Sequence, residues 1–137
     1  MKLQLDLKDF RVPDGRPFQI KKAKTQVKSL YRDDAHYERL IAEFRTEIDE
    51  LQQKMYAQDR QGLLIIFQAM DAAGKDSTIK HVMSGVNTQG VESHAFKRPT
   101  SSELDHDFLW RTTRVMPPRG RIGIFNRSYY EEVLIWR

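Results

Sequence analysis

Apolar residues recur at three- and four-residue steps through the first third of the chain: Tyr37, Leu40, Ile41, Phe44, Ile48, Leu51 and Met55. That spacing sets them on one face of a helix, with Glu, Arg and Gln filling the other. Asp33 or Asp34 is placed to cap its first free N–H groups. The stripe reads as core packing, and Gln61-Gly62 closes the segment. The pattern then changes. Leu63-Leu64-Ile65-Ile66-Phe67 is a continuous apolar run, which predicts a short strand buried on both faces. A loop over 69–74 leads into a helix predicted over 75–86. A second, weaker strand is expected over 91–96. Thr100-Ser101-Ser102-Glu103 has the form of a capping box, with Thr100 as the cap and Glu103 reaching back. It opens a helix running through Leu104, Phe108 and Leu109 to Arg114. Pro117-Pro118-Arg119-Gly120 breaks the chain, a third strand is expected over 121–126, and another helix starts at Tyr129.

Strands alternating with helices predict an α/β fold with a mainly parallel sheet. Residues 1–30 are polar, carry a turn signal at Pro13-Asp14-Gly15, and read as an N-terminal arm. Residues 31–137 read as the N-terminal part of the folded core. Three strands make a thin sheet for this architecture, and Val133-Leu134-Ile135-Trp136-Arg137 shows no helix stop signal. The domain is therefore expected to be incomplete at residue 137.

Composition narrows the chemistry. The chain of 137 residues has no cysteine, which excludes disulfides and thiolate metal sites within it. No apolar run approaches the length of a membrane span and the start is not signal-like, so the expectation is a cytoplasmic protein with no membrane partner. Lys and Arg outnumber Asp and Glu by 23 to 19. The surplus is unevenly spread. Residues 1–30 hold eight basic and three acidic residues, including Lys21, Lys22, Lys24 and Lys28. Arg111, Arg114, Arg119, Arg121 and Arg127 have no acid between them. Such fields suit a polyanion, and a solvated surface is the plain alternative. No nucleic-acid-binding motif accompanies them, so nucleic acid is not the expected partner.

The most specific signal is Met70-Asp71-Ala72-Ala73-Gly74-Lys75-Asp76-Ser77-Thr78, between the first strand and the first helix after it. Small residues let successive backbone N–H groups converge on phosphate oxygens. Lys75 supplies neutralising charge. The helix start supplies free donors and a favourable dipole. A cation at a helix start is otherwise disfavoured, which an ordinary strand-to-helix turn leaves unexplained. The match to G-x-x-x-x-G-K-[ST] is incomplete. Ala69 replaces the first Gly, and Asp76 stands at the hydroxyl position. An acid inside an anion-binding loop calls for a divalent cation between acid and phosphate, so Asp71 is expected to hold Mg²⁺ or to take the proton of an attacking group.

The segment from Asp71 to His81 resembles the Walker A segment of the family-2 polyphosphate kinases. Ser84-Gly85-Val86-Asn87-Thr88-Gln89-Gly90-Val91 resembles the next segment of those kinases. Phe108-Leu109-Trp110-Arg111, Pro117-Pro118-Arg119-Gly120 and the run from Ile122 to Glu131 resemble the stretch ending in that family's Walker B region. The resemblance implies a three-layer P-loop kinase-like sandwich similar to thymidylate kinase, with Mg²⁺ as cofactor. It implies phosphoryl transfer between inorganic polyphosphate and a nucleoside mono- or diphosphate, and a homo-oligomer is expected. It also implies that family members continue past residue 137 into further strands and a basic helical lid.

Carried over by resemblance, Asp71, Lys75 and Arg127 are the catalytic candidates, with Glu131 beside them. Asn126 and Glu131 resemble the pattern of the subgroup that accepts both AMP and ADP. Asn126 is a neutral ligand, and Glu131 restores the charge as a second metal group next to Asp71, or sits as a helix-start acid. Lys80, Arg111, Arg114, Asn126 and Arg127 are candidate contacts to nucleotide or polyphosphate. For Arg111 and Arg114 a solvated helix end is an equal alternative. His81, His94 and His106 read as structural. Two other functions stay open: an ATP-dependent nucleoside monophosphate kinase with the same loop, and an inactive fragment that only binds polyanions.

Overall fold

The computed structural model describes residues 8, 11–12, 14–15, 17–23, 28–70 and 72–131. Pro13, Lys24, Asp71 and the 133–137 ending lie outside the described residues. The chain divides into two units, Met1–Arg39 and Leu40–Arg137. In the first, Arg11 pairs with Asp14 at 2.9 Å and a 3₁₀ turn forms over Ile20–Lys22. Its last residues start helix α1 (Asp34–Gln58). The carboxylate of Asp33 accepts from the His36 N–H at 2.7 Å, so Asp33 is the residue that caps the helix.

The second unit is built on three strands, β1 (Leu63–Phe67), β2 (Val91–Ala95) and β3 (Ile122–Asn126), joined in the order β1-β3-β2 with both pairings parallel. The connections carry α2 (Lys75–Met83) and two single-turn helices, α3 (Ser101–Leu104) and α4 (Trp110–Thr113). β3 pairs on both sides, and Ile122, Ile124 and Phe125 are buried along it. Phe96 meets Phe125 edge-on, with centroids 4.8 Å apart.

Burial on both faces was the expectation for β1, and β3 is the strand that meets it. Among the described residues β1 pairs on one side only, its residues are half-buried, and Leu63 is 47% exposed. The helix expected over 100–114 is two short turns. The capping box forms as read, with the Thr100 hydroxyl accepting from the Glu103 N–H and the Glu103 carboxylate accepting from the Thr100 N–H. Asp107 then starts a new turn. Its side chain accepts from the Leu109 N–H at 2.9 Å and its carbonyl from the Trp110 N–H at 2.9 Å. A local side-chain bond of this kind competes with helix continuation.

The apolar stripe of α1 also differs from expectation. Within the second unit, Ile41, Ile48 and Met55 are half-buried, whereas Phe44 and Leu51 are 37% and 56% exposed. The face that meets the rest of the unit is partly polar. Arg45 donates through Nε and Nη2 to the carbonyl of His81, at 3.0 and 2.5 Å. A guanidinium over a last-turn carbonyl of α2 is matched to the negative end of that helix. Asp49 accepts from the Asn87 N–H at 3.0 Å. Gln52, the buried residue of α1, is 2% exposed and packs on Gly90.

That packing leaves room for a methyl group only if the Gln52 amide moves. A Cβ on Gly90 would fall 1.5 Å from Gln52 Nε2 and 2.1 Å from its Cδ, the far end of a flexible side chain. Gly90→Ala is expected to destabilise the protein by about 1 kcal/mol, the low end of the range for overpacking, as the buried amide is displaced. Gln52→Ala in the same background should recover part of that loss. Melting temperatures of the two single variants and the double variant check the coupling; simple additivity would show that the two residues do not share the space.

Candidate phosphate-binding cleft

Parallel pairing points all three carboxyl ends toward one edge of the sheet, where open α/β sheets bind ligands. The segments that leave β1, β2 and β3 meet there around a cleft of about 660 Å³. Residues 72–77 form one wall, 95–98 another, and 126–127 the floor between them. Backbone bonds fix the meeting: the Arg127 N–H donates to Phe67 O and the Phe96 N–H to Asn126 O, both at 3.0 Å.

The loop after β1 turns through two left-handed residues, Ala72 at φ 59° and Gly74 at φ 83°. Glycine takes this conformation without the clash an L side chain meets, and a Cβ at Gly74 would lie 3.4 Å from Ser77 Oγ. The Gly74 carbonyl accepts from the Thr78 N–H, from Ser77 Oγ at 2.8 Å and from Thr78 Oγ1 at 2.9 Å. Lys75 reaches back over the loop. Its ammonium donates to the carbonyls of Ala69 and Met70 at 2.8 and 2.9 Å.

Lys75, Asp76, Ser77, Asn126 and Arg127 are thus brought together at the cleft. Asn126 Nδ2 donates to the Asp76 carboxylate, tying the end of β3 to the start of α2. Arg127 is a non-glycine residue at φ 68°, a conformation that costs on the order of 1–3 kcal/mol and clusters at functional sites. Lys97 and Arg98 line the opposite wall, and the sequence reading missed both. They come directly after the carboxyl end of β2, so the rule that selected Arg127 after β3 selects them too.

Other candidates lie elsewhere. Lys80 and Met70 are exposed and do not line the cleft. Arg114 stacks over Trp110, which in turn stacks on His106 at 3.9 Å. Arg111 turns inward and donates to the Lys97 carbonyl at 2.7 Å. Its neighbour Glu103 is held below the ordinary carboxylate pKa chiefly by the Thr100 backbone N–H. The Thr100 side chain and Arg111 add to this, and burial opposes it. Glu131 is buried, and its carboxylate accepts from Gln68 Nε2 at 2.7 Å just beyond β1. It is not among the residues that line the cleft.

The cleft therefore combines four cationic side chains with oxygen donors from Asp76 and Ser77. Hard oxygen donors beside a phosphate loop fit Mg²⁺, which is held by one or two carboxylates together with substrate phosphates. Among the described residues no helix is long and apolar enough to cross a membrane.

Residues 31–137 match the family model described as Polyphosphate kinase 2. A curated relative from Rhodopseudomonas palustris, named ADP-polyphosphate phosphotransferase, is 52% identical over 98% of this chain and 47% of its own length. One from Meiothermus ruber, named AMP/ADP-polyphosphate phosphotransferase, is 42% identical over 96% of this chain and 49% of its own. The crystal structure of polyphosphate kinase 2 from Arthrobacter aurescens superposes with a TM-score of 0.82 at 39% identity, covering 93% of this chain and 46% of that one. This chain spans about half the length of the curated relatives it matches. Its α/β architecture is that of the P-loop kinases. On the family match and the shared fold together, the chain belongs to the polyphosphate kinase 2 family.

Proposed function

We propose that the chain supplies the phosphate-binding edge of a phosphotransferase that moves a phosphoryl group between inorganic polyphosphate and a nucleoside mono- or diphosphate such as AMP or ADP. The observation that carries this reading is the convergence of Lys75, Lys97, Arg98 and Arg127 on one cleft at the carboxyl edge of the parallel sheet. Phosphoryl transfer leaves little covalent work to the protein. Catalysis is positioning and charge stabilisation. In the direction of nucleotide synthesis, a terminal phosphate oxygen of the acceptor attacks the terminal phosphorus of polyphosphate. The P–O–P bridge breaks, and a chain one phosphate shorter leaves.

Each side chain has a part in that reading. Lys75 exchanges its two loop carbonyls for phosphate oxygens. Arg127 presents a planar donor fork to the phosphoryl group as charge builds on it. The start of α2 contributes its free N–H groups. Asp71 and Asp76 are the carboxylates that would hold Mg²⁺, which when bound neutralises the phosphate chain. Asn126 keeps Asp76 at the cleft. Glu131, through Gln68, braces the end of β1 from which the loop departs.

The test is synthesis of ATP from ADP and polyphosphate by the full-length protein. Lys75→Ala is expected to lower turnover about a hundredfold or more with the melting temperature unchanged. Undiminished turnover would remove Lys75 from the reaction. Asp71→Asn is expected to raise the Mg²⁺ concentration needed for half-maximal rate, or to abolish the rate. A Mg²⁺ dependence equal to that of the unaltered protein would leave Asp71 as a turn residue only.

A further inference from the structure

The wall formed by residues 96–98 has no helix start and no glycine-rich loop to shape it. It is shaped instead by Arg111. The Arg111 side chain is 9% exposed. Its Nη2 donates to the Lys97 carbonyl at 2.7 Å, its Nε lies 3.6 Å from Glu103 Oε1, and its guanidinium carbon sits 5.1 Å from the centre of the Phe96 ring. Glu103 is fixed in turn. Its other oxygen accepts from the Thr100 N–H at 2.7 Å, and its own N–H is bound by the Thr100 hydroxyl. Thr100 is two residues beyond Arg98. One guanidinium therefore grips this short connection at three places: the ring of Phe96, the backbone of Lys97, and, through Glu103, the backbone of Thr100.

We propose that Arg111 is a positioning residue for the reaction, acting through the backbone of residues 96–100 to hold Lys97 and Arg98 toward the phosphate chain that the loop at 72–77 does not bind. The inference rests on the phosphotransferase reading above. A donor and an acceptor must lie in the cleft together, and both are polyanions. The phosphate loop serves one of them with Lys75 and the start of α2. Lys97 and Arg98 are the cations of the facing wall. A cation on a loose connection binds poorly because each freed side chain and backbone torsion must be ordered again on binding. Arg111 removes that cost in advance. Its planar fork suits the task, because one group reaches a carbonyl and a carboxylate at once. A lysine, with a single compact ammonium, does not reach both in the same geometry.

The inference separates the two substrates, and that makes it testable. In the full-length protein, Arg111→Gln is expected to raise KM for the substrate lying on the 96–98 wall by about tenfold or more, as loss of a charge-assisted hydrogen bond predicts. KM for the other substrate and kcat should stay within about twofold, marking a loss of binding rather than of transition-state contact. Arg111→Lys should show the same one-sided rise to a smaller degree. Glu103→Gln, which keeps an oxygen for the Thr100 N–H but drops the charge facing Arg111, should do likewise, and it provides a second reading if the Arg111 variants fold poorly. KM for polyphosphate and for ADP, measured separately for all three variants, decides the matter. An equal rise in both KM values, a fall in kcat alone, or unchanged constants would overturn the positioning role. Absence of transfer by the unaltered protein would instead overturn the phosphotransferase reading on which it rests.

Discussion

Parallel pairing of β3 with both of its neighbours is the constraint on which the rest of the unit depends. Three strands running the same way must deliver their carboxyl ends to one edge, and each end must lead into a connection that crosses back. The connections after β1, β2 and β3 therefore begin side by side. Two backbone bonds, from Arg127 to Phe67 and from Phe96 to Asn126, extend the pairing just past the strands and hold those beginnings in register. The cleft is a by-product of that geometry. Its charge is what the sequence adds, with a lysine after the first strand, a lysine and an arginine after the second, and an arginine after the third.

The regular elements were legible where local chemistry decides them. The phosphate loop announces itself by small residues and a lysine at a helix start, and the capping box at Thr100 and Glu103 forms as its spacing requires. Errors arose where a tertiary partner decides. Whether a run such as Leu63–Phe67 is buried on both faces depends on how many strands flank it, which the run itself does not encode. The α1 stripe was legible only in part for a similar reason. Beside Leu40, Ile41, Ile48 and Met55, the covered face carries Arg45, Asp49 and Gln52, polar residues whose partners are the His81 carbonyl, the Asn87 amide and the space over Gly90. None of those partners is visible from the helix alone.

The site residues divide along the same line. Lys75 and Arg127 were found because a motif surrounds them. Lys97 and Arg98 lie in no motif, and only the strand order shows that they face the phosphate loop. Arg111, one turn from Arg114, was expected either to contact nucleotide or polyphosphate or to end the helix in solvent. In the fold its guanidinium points inward, and its influence on the cleft passes through the backbone of its neighbours.

The carbonyl of Gly74 accepts from one N–H and two hydroxyls. Both hydroxyls of the first helical turn thus direct their protons to that carbonyl, which leaves the Ser77 oxygen at the cleft as an acceptor only. The charged oxygen that this turn adds beside Asn126 belongs to Asp76, a carboxylate where a second hydroxyl would be neutral. A bare phosphate chain approaching the loop meets that charge as well as the cations around it. On the phosphotransferase reading, a chain accompanied by its own divalent counter-ion would meet no such opposition, because the ion would fit between the two anions. The loop would in this respect be a receptor for an ion pair, selecting the salt of the substrate over the free anion.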